Sequence, residues 1–140
     1  MTYFTDRNLG HLLPIAMGLL GIPIEIHDTY YDQFTPDDVW LPEVGAKGWV
    51  VLTQDPRFLY NDSEKEAIVS NGVACFVFIL DGLKRWPKLQ VIARVWDDIE
   101  RIVARDTPPY IYRITKAGDV KRLYPPEKPP TESGPESQPL

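Results

Sequence analysis

The chain has 140 residues, of which 44% are hydrophobic and 25% are charged. This composition is typical of one globular domain with a sizeable core and leaves little room for a second. Twenty acids outnumber 15 bases, and a net charge of -5 argues against coating nucleic acid through bulk charge alone. The charge is divided, however: residues 1–83 carry -8, residues 84–122 carry +5 and residues 123–140 carry -2.

The single cysteine, Cys75, excludes an internal disulfide and a zinc knuckle. The first residues lack the basic start and apolar core of a signal peptide. The apolar stretch over 12–24 is shorter than the roughly 20 residues that span a bilayer. These features predict a soluble cytoplasmic protein with no membrane partner.

Apolar spacing and turn residues predict an alternation of strands and helices. In chain order the predicted elements are a strand at 3–5, a helix at 8–20, a strand at 22–26, a loop at 27–35, a helix from 36 to about 44, a strand at 49–53, a helix from 62 or 63 to 70, a strand at 73–80, a helix from 87 to about 105, and a hairpin of strands 110–115 and 120–124.

Two local signals fix the second long helix. Thr35 can cap its start, Pro36 suits the first helical position, and the acids that follow favour the first turn. Gly45 is expected to end it.

The alternation predicts an α/β fold, a three-layer α/β/α domain with a mainly parallel central sheet and a C-terminal β-hairpin. This domain is expected to cover residues 1–124. Residues 125–140 contain six of the 14 prolines and no aromatic residue, and are expected to form a disordered tail.

Three acids are predicted to meet at one edge of the sheet. Asp6 ends the first strand, Asp55 follows the third, and Asp37 opens the helix after the second strand. In parallel sheets the active crevice lies beyond the carboxyl ends of the strands. Carboxylates gathered there repel each other unless a cation lies between them, and their hard oxygens suit Mg²⁺ or Mn²⁺.

Each acid also has a structural explanation when it is taken alone. Asp6 can cap the following helix, Asp37 can satisfy a helix dipole, and Asp55 before a proline is a common turn residue. Their shared edge favours a site, with Thr53, Asn8 and Asp38 as supporting residues. Glu64 is expected to be a first-turn helix acid, although it lies near enough in sequence to Asp55 to help a metal.

Basic residues near these acids are candidates for binding phosphate. Arg57 follows Asp55 by two positions, and Arg7 is adjacent to Asp6. Either arginine can instead neutralise its neighbouring acid. The basic segment from Lys84 to Arg122 could follow an RNA backbone, although for its helix alone a solvated face is the favoured explanation of the charges.

Three segments resemble the motifs of PIN-like ribonuclease domains. They are Phe4-Thr5-Asp6-Arg7-Asn8-Leu9-Gly10, Thr35-Pro36-Asp37-Asp38-Val39-Trp40-Leu41-Pro42-Glu43-Val44-Gly45, and Gly48-Trp49-Val50-Val51-Leu52-Thr53-Gln54-Asp55. The chain is most similar to a short PIN-like group related to VapC-type toxins of toxin–antitoxin systems. The resemblance is specific over residues 4–80.

The resemblance implies a metal-dependent endoribonuclease that hydrolyses RNA phosphodiester bonds. By motif, Asp6, Asp37 and Asp55 match the acids that hold Mg²⁺ or Mn²⁺ and activate water, and Thr53 matches the hydroxyl before the third acid. A toxin of this type is held inactive by a cognate antitoxin protein and often forms a homodimer.

Two alternatives stay open. No clear fourth acid follows Asp55, where Pro56-Arg57-Phe58 stands, which is compatible with a degenerate PIN-like module that binds RNA or a protein without cleavage. A receiver-type phosphoacceptor domain also carries an acid after strands one and three, with a late Thr-Lys pair here at Thr115 and Lys116. Receivers need a hydroxyl residue after strand four, where Leu80-Asp81-Gly82 stands, so this alternative ranks lowest.

Overall fold

The computed structural model describes residues 1–127, so residues 128–140 of the predicted tail lie outside the described residues. The six strands are β1 (Tyr3–Thr5), β2 (Ile24–Ile26), β3 (Val50–Thr53), β4 (Ala74–Ile79), β5 (Tyr110–Thr115) and β6 (Val120–Tyr124). The α-helices are α1 (Leu12–Leu19), α2 (His27–Tyr30), α3 (Asp37–Lys47), α4 (Arg57–Tyr60), α5 (Asp62–Ser70) and α6 (Arg85–Arg105).

All six strands form one sheet in the order β2-β1-β3-β4-β5-β6. The first five are parallel to their neighbours, and β6 pairs antiparallel with β5 to close the C-terminal hairpin. The predicted three-layer α/β fold with a mainly parallel sheet is therefore confirmed.

Helices cover both faces of the sheet, because its central strands are apolar on both sides. Val50 and Leu52 of β3 pack into one buried cluster with residues of α1 and α6, whereas Val51 packs into a second cluster with residues of α3, α4 and α5. The long helix α6 contributes one apolar face through Val91, Ile92, Val95, Ile99 and Ile102. Alternate residues of β3 thus contribute to the buried clusters on the two faces of the sheet.

Several predicted boundaries were wrong. The helix expected over 8–20 is interrupted at Gly10, whose φ of 73° separates a 3-10 turn (Arg7–Leu9) from α1. The segment 27–35 is not all loop, because its first four residues form α2. The helix expected to start at Pro36 begins one residue later, with Pro36 in the capping position and no cap from Thr35.

Gly45 does not end α3, as the sequence suggested; the helix continues to Lys47 and ends at Gly48 in a left-handed conformation. Gly45 is required for close packing instead. A Cβ atom there would lie 2.2 Å from the backbone oxygen of Asn71, at the end of α5.

The parallel strands end at one edge of the sheet, and that edge carries the polar residues of interest. Asp6 follows β1, Asp55 lies two residues after β3, and Lys116 follows β5. The start of α6 lies near this edge as well, because α6 follows β4. Within residues 1–127, no helix combines the length and apolar character needed to cross a membrane.

Candidate active site

A cleft of about 640 Å³ lies at the carboxyl edge of the sheet, beyond β1 and β3. The structure brings Asp6, Asp37 and Asp55 together in its lining, with Asn8, Asp38, Arg7 and Arg57. Glu64 also lines the cleft. All residues predicted for the site except Thr53 therefore face one cavity, and Thr53 lies buried directly behind it.

Asp6 forms the inner wall of the cleft and is only 8% exposed. The Arg7 backbone N–H donates to Asp6 Oδ1 at 2.7 Å, and the Thr53 hydroxyl donates to Oδ2 at 2.9 Å. Loss of solvent raises the pKa of the Asp6 carboxyl, these two hydrogen bonds lower it by less, and the nearby Asp37 charge raises it further. The Asp6 pKa is raised as a result.

Thr53, the last residue of β3, joins the two strand ends. Its hydroxyl donates to Asp6 and accepts the backbone N–H of Asp55 at 3.0 Å. The side chain is fully buried. The sequence placed Thr53 beside Asp55, but its hydroxyl orients the carboxylate of Asp6.

Asn8, which follows β1, also forms hydrogen bonds to the segment that follows β3. Its Oδ1 accepts the Gln54 backbone N–H at 2.9 Å, and its backbone carbonyl accepts the Gln54 side-chain amide at 2.7 Å. Parallel pairing of Thr5 with Leu52 places these ends side by side. The inner wall is thus fixed by hydrogen bonds between loops that begin at neighbouring strands.

Asp55 is held differently, by an arginine. Arg57 Nη2 donates to Asp55 Oδ2 at 2.6 Å, Nε lies 3.1 Å from Oδ1, and the Arg57 backbone N–H donates to Oδ1 at 3.0 Å. Desolvation raises the pKa of the Asp55 carboxyl, but the hydrogen bonds and charge of Arg57 outweigh it. The Asp55 pKa consequently lies below its usual range.

The same guanidinium faces two further acids. Arg57 Nη2 lies 3.9 Å from Asp37 Oδ2, and Nη1 lies 3.8 Å from Glu64 Oε1. Asp37 Oδ1 meanwhile accepts the indole N–H of Trp40 at 3.1 Å, which fixes its orientation at the start of α3. We call Asp37, Asp55 and Glu64 the outer carboxylates.

Glu64, expected from the sequence to be a first-turn helix acid near enough to Asp55 to help a metal, lies in the first turn of α5 and lines the cleft. Desolvation and contact with Asp37 raise the pKa of its carboxyl. The Asn61 side chain caps α5 by accepting the backbone N–H groups of Ser63 and Glu64, which places Glu64 in the first turn. The available signal was this cap followed by an acid, but its position relative to Asp37 depends on how α5 packs.

The other predicted residues lie at the rim. Asp38 is exposed in the first turn of α3. The Arg7 side chain donates to the Gln33 carbonyl at 3.2 Å and lies 3.9 Å from Asp28, so it faces the segment after α2 rather than Asp6. Asp38 and Arg7 are thus accessible to a ligand entering the cleft.

A second cleft of about 620 Å³ adjoins the first and shares Asn8 with it. Arg85 and Lys88, from the first turn of α6, line this second cleft. Near the far end of the helix, Arg101 pairs with Asp98 at 2.7 Å and Arg105 with Asp106 at 2.6 Å. The basic segment is thus divided between an end beside the cleft and an end whose arginines are neutralised by acids.

The comparisons with known proteins agree with this geometry. A family model described as a PIN-like domain matches residues 1–80, which contain all five acidic residues that line the cleft. The chain belongs to the PIN-like domain family. The predicted PIN-like membership is therefore confirmed, and the fold of this family indicates a nuclease. No curated protein and no solved structure matches the chain.

A divalent metal fits this PIN-like cleft by its donor chemistry. Four carboxylates and the Asn8 amide supply the hard oxygen ligands that Mg²⁺ and Mn²⁺ prefer. Within residues 1–127, however, no group of three or more His, Cys, Asp or Glu side chains is arranged to hold an ion. The reason lies in the contacts: Asp6 is turned to Thr53, and Arg57 lies among the outer carboxylates.

Proposed function

We propose that this PIN-like domain is an endoribonuclease that depends on Mg²⁺ or Mn²⁺ and hydrolyses RNA phosphodiester bonds. The observation that carries the proposal is the convergence of Asp6, Asp37, Asp55 and Glu64 in one cleft at the carboxyl edge of the sheet. Asp6 and the outer carboxylates would hold the ion. The ion would polarise a phosphoryl oxygen and lower the pKa of bound water.

The residues of the chain have separable roles in this proposal. Thr53 orients Asp6 and so keeps the inner wall fixed before substrate binds. Glu64, in the first turn of α5, would hold the ion together with Asp37 and Asp55.

RNA would reach the cleft along the start of α6. Arg85 and Lys88 line the adjoining cleft and supply charge for a phosphate backbone, whereas Arg101 is already paired with Asp98. Arg7, exposed at the rim, would contact the phosphate nearest to Asp6. This path uses only one end of the basic segment.

The cleavage assay uses end-labelled single-stranded RNA with and without Mn²⁺ or Mg²⁺. We expect Asp6→Asn to lower kcat/KM by roughly a hundredfold or more, because it removes a charged ligand of the ion. Asp98→Asn, a matched change on the far part of α6, is expected to leave the rate unchanged. Wild-type rates in Asp6→Asn, or equal rates in a metal chelator, would contradict the proposal.

The RNA path is tested by binding rather than cleavage. Replacing both Arg85 and Lys88 with Ala is expected to weaken RNA binding and to reduce the slope of log affinity against log salt by about 1.4, or about 0.7 for each charge removed. The matched double change of Arg94 and Arg101 to Ala is expected to have a smaller effect on that slope. Equal effects of the two pairs would rule out a path along the start of α6.

The resemblance to VapC-type toxins also supports a proposal about the role of this activity in the cell. We propose a cytoplasmic toxin that a cognate antitoxin protein holds inactive, acting as a homodimer. Induced expression of the chain is expected to arrest growth, and Asp6→Asn is expected to relieve the arrest. Unimpaired growth while active wild-type protein is present would contradict the toxin role but not the nuclease activity.

One observation favours the second candidate, a PIN-like module that binds RNA or a protein without cleavage. Arg57 already offsets part of the negative charge of the cleft, which reduces the need of the carboxylates for a metal ion. For such a module we expect RNA binding without cleavage and no Mn²⁺ binding by calorimetry at millimolar metal.

A further inference from the structure

The Arg57 guanidinium lies between three carboxylates that come from three separate segments of the chain. It is 2.6 Å from Asp55, which follows β3, 3.9 Å from Asp37, which begins α3, and 3.8 Å from Glu64 in the first turn of α5. Among the ion pairs within residues 1–127, the outer carboxylates contact no other cation. One positive side chain therefore faces three acids and offsets part of their charge.

These acids need a cation nearby. The charges of Asp37 and Asp55 add to desolvation in raising the pKa of Glu64, and the charge of Arg57 opposes them. Carboxylates at such separations repel one another unless a positive charge lies between them. Arg57 supplies that charge in the described arrangement, at the place where a bound ion would otherwise supply it.

We infer that Arg57 is the resident counter-cation of the outer carboxylates, and that a divalent cation binds to them only when the Arg57 side chain releases Asp55. The inference rests on the proposed function for the identity of the competing cation. Arg57 is a positioning residue here, because it acts by holding the carboxylates and not on the substrate.

The contacts allow this exchange. The Arg57 side chain is 59% exposed, whereas the Asp55 side chain is only 12% exposed. Moving into water costs the exposed guanidinium little solvation, but it leaves the poorly exposed Asp55 carboxylate without a cation, so a divalent ion must take its place. The Arg57 backbone N–H also donates to Asp55 Oδ1, and this bond persists when the side chain moves. The start of α4 therefore keeps its anchor.

The test compares Mn²⁺ affinity of the full chain with and without Arg57, by calorimetry in the absence of RNA. We expect Arg57→Gln to bind Mn²⁺ roughly tenfold more tightly than the wild type, because the competing charge-assisted fork is gone. Arg7→Gln is the matched control. Arg7 also lines the cleft but contacts Gln33 and Asp28 instead, so a much smaller change is expected.

A second variant controls for a folding defect in Arg57→Gln. Arg57→Lys keeps the charge but loses the planar fork, and it is expected to bind Mn²⁺ with an affinity between those of the wild type and Arg57→Gln. In thermal melts, added Mn²⁺ is expected to raise the Tm of Arg57→Gln by more than that of the wild type.

The outcomes separate this inference from the proposed function. Mn²⁺ affinity that is unchanged or weaker in both Arg57 variants would overturn the role of Arg57, even if the wild type cleaves RNA. Tighter Mn²⁺ binding in Arg57→Gln without any cleavage of RNA would support the role of Arg57 and contradict the nuclease.

Discussion

Asp6 and Asp55 line the same cleft, yet the protein holds them in opposite ways. Burial raises the pKa of Asp6 despite two hydrogen bonds from neutral donors, whereas Arg57 lowers the pKa of Asp55 below its usual range. The inner wall is thus set by hydrogen bonds between two strand ends, of which the Thr53–Asp6 bond is buried, and the outer wall, which the outer carboxylates form, by an exposed ion pair. Hydrogen bonds hold the inner wall in place before a ligand binds, whereas the outer carboxylates can exchange Arg57 for another cation.

The largest loss of stability is expected when the hydrogen bonds of Thr53 are removed from the inner wall. Thr53→Val keeps the shape of the side chain but leaves Asp6 Oδ2 and the Asp55 N–H without their partner. We expect a loss of about 2 kcal/mol in the free energy of unfolding, measured by urea denaturation. Thr115→Val is the matched control, because Thr115 also ends a strand and bonds an aspartate but is more exposed. Equal losses at the two threonines would argue against a preorganised inner wall.

Matched substitutions of Asp6 and Asp55 test this contrast more directly, because they are expected to shift the free energy of unfolding in opposite directions. At neutral pH, Asp6→Asn is expected to raise the free energy of unfolding by about 1 kcal/mol, since it removes a poorly solvated charge. Asp55→Asn is expected to lower it by about 1 kcal/mol, since it removes the partner of Arg57.

The pH windows should differ as well. The gain in Asp6→Asn shrinks as pH falls through the raised pKa of folded Asp6 toward the unfolded value of about 3.9, because the wild-type carboxyl takes up its proton there. The deficit in Asp55→Asn persists to about pH 3.9 and is lost only below it, as pH falls through the lowered pKa. Urea denaturation at a series of pH values measures both. Shifts of the same sign would refute the contrast between the walls.

The positions of three cleft carboxylates could be predicted from the sequence. The rule that parallel strands present their carboxyl ends at one edge brought Asp6 and Asp55 together, and the helix-start signal placed Asp37 near them. These inferences need only strand order and local spacing. The contact between Thr53 and Asp6 needs the register of β1 against β3, which alternation alone does not fix.

The contact of Glu64, the remaining outer carboxylate, with Asp37 could not be predicted in the same way. Glu64 reaches Asp37 because α5 packs beside α3, and no periodicity encodes that contact. The single-turn helices α2 and α4 are too short to show a helical period. Gly45 was misinterpreted as a helix end because its close approach to Asn71 is a tertiary contact.

The central claim is that the cleft carboxylates exchange Arg57 for a divalent cation in a PIN-like nuclease. A crystal of the full chain soaked in Mn²⁺, with anomalous scattering to locate the metal, tests it most directly. The account predicts a Mn²⁺ peak among Asp6 and the outer carboxylates, with the Arg57 guanidinium withdrawn from Asp55. A cleft without Mn²⁺ at a concentration that supports RNA cleavage, with Arg57 still bound to Asp55, would contradict it.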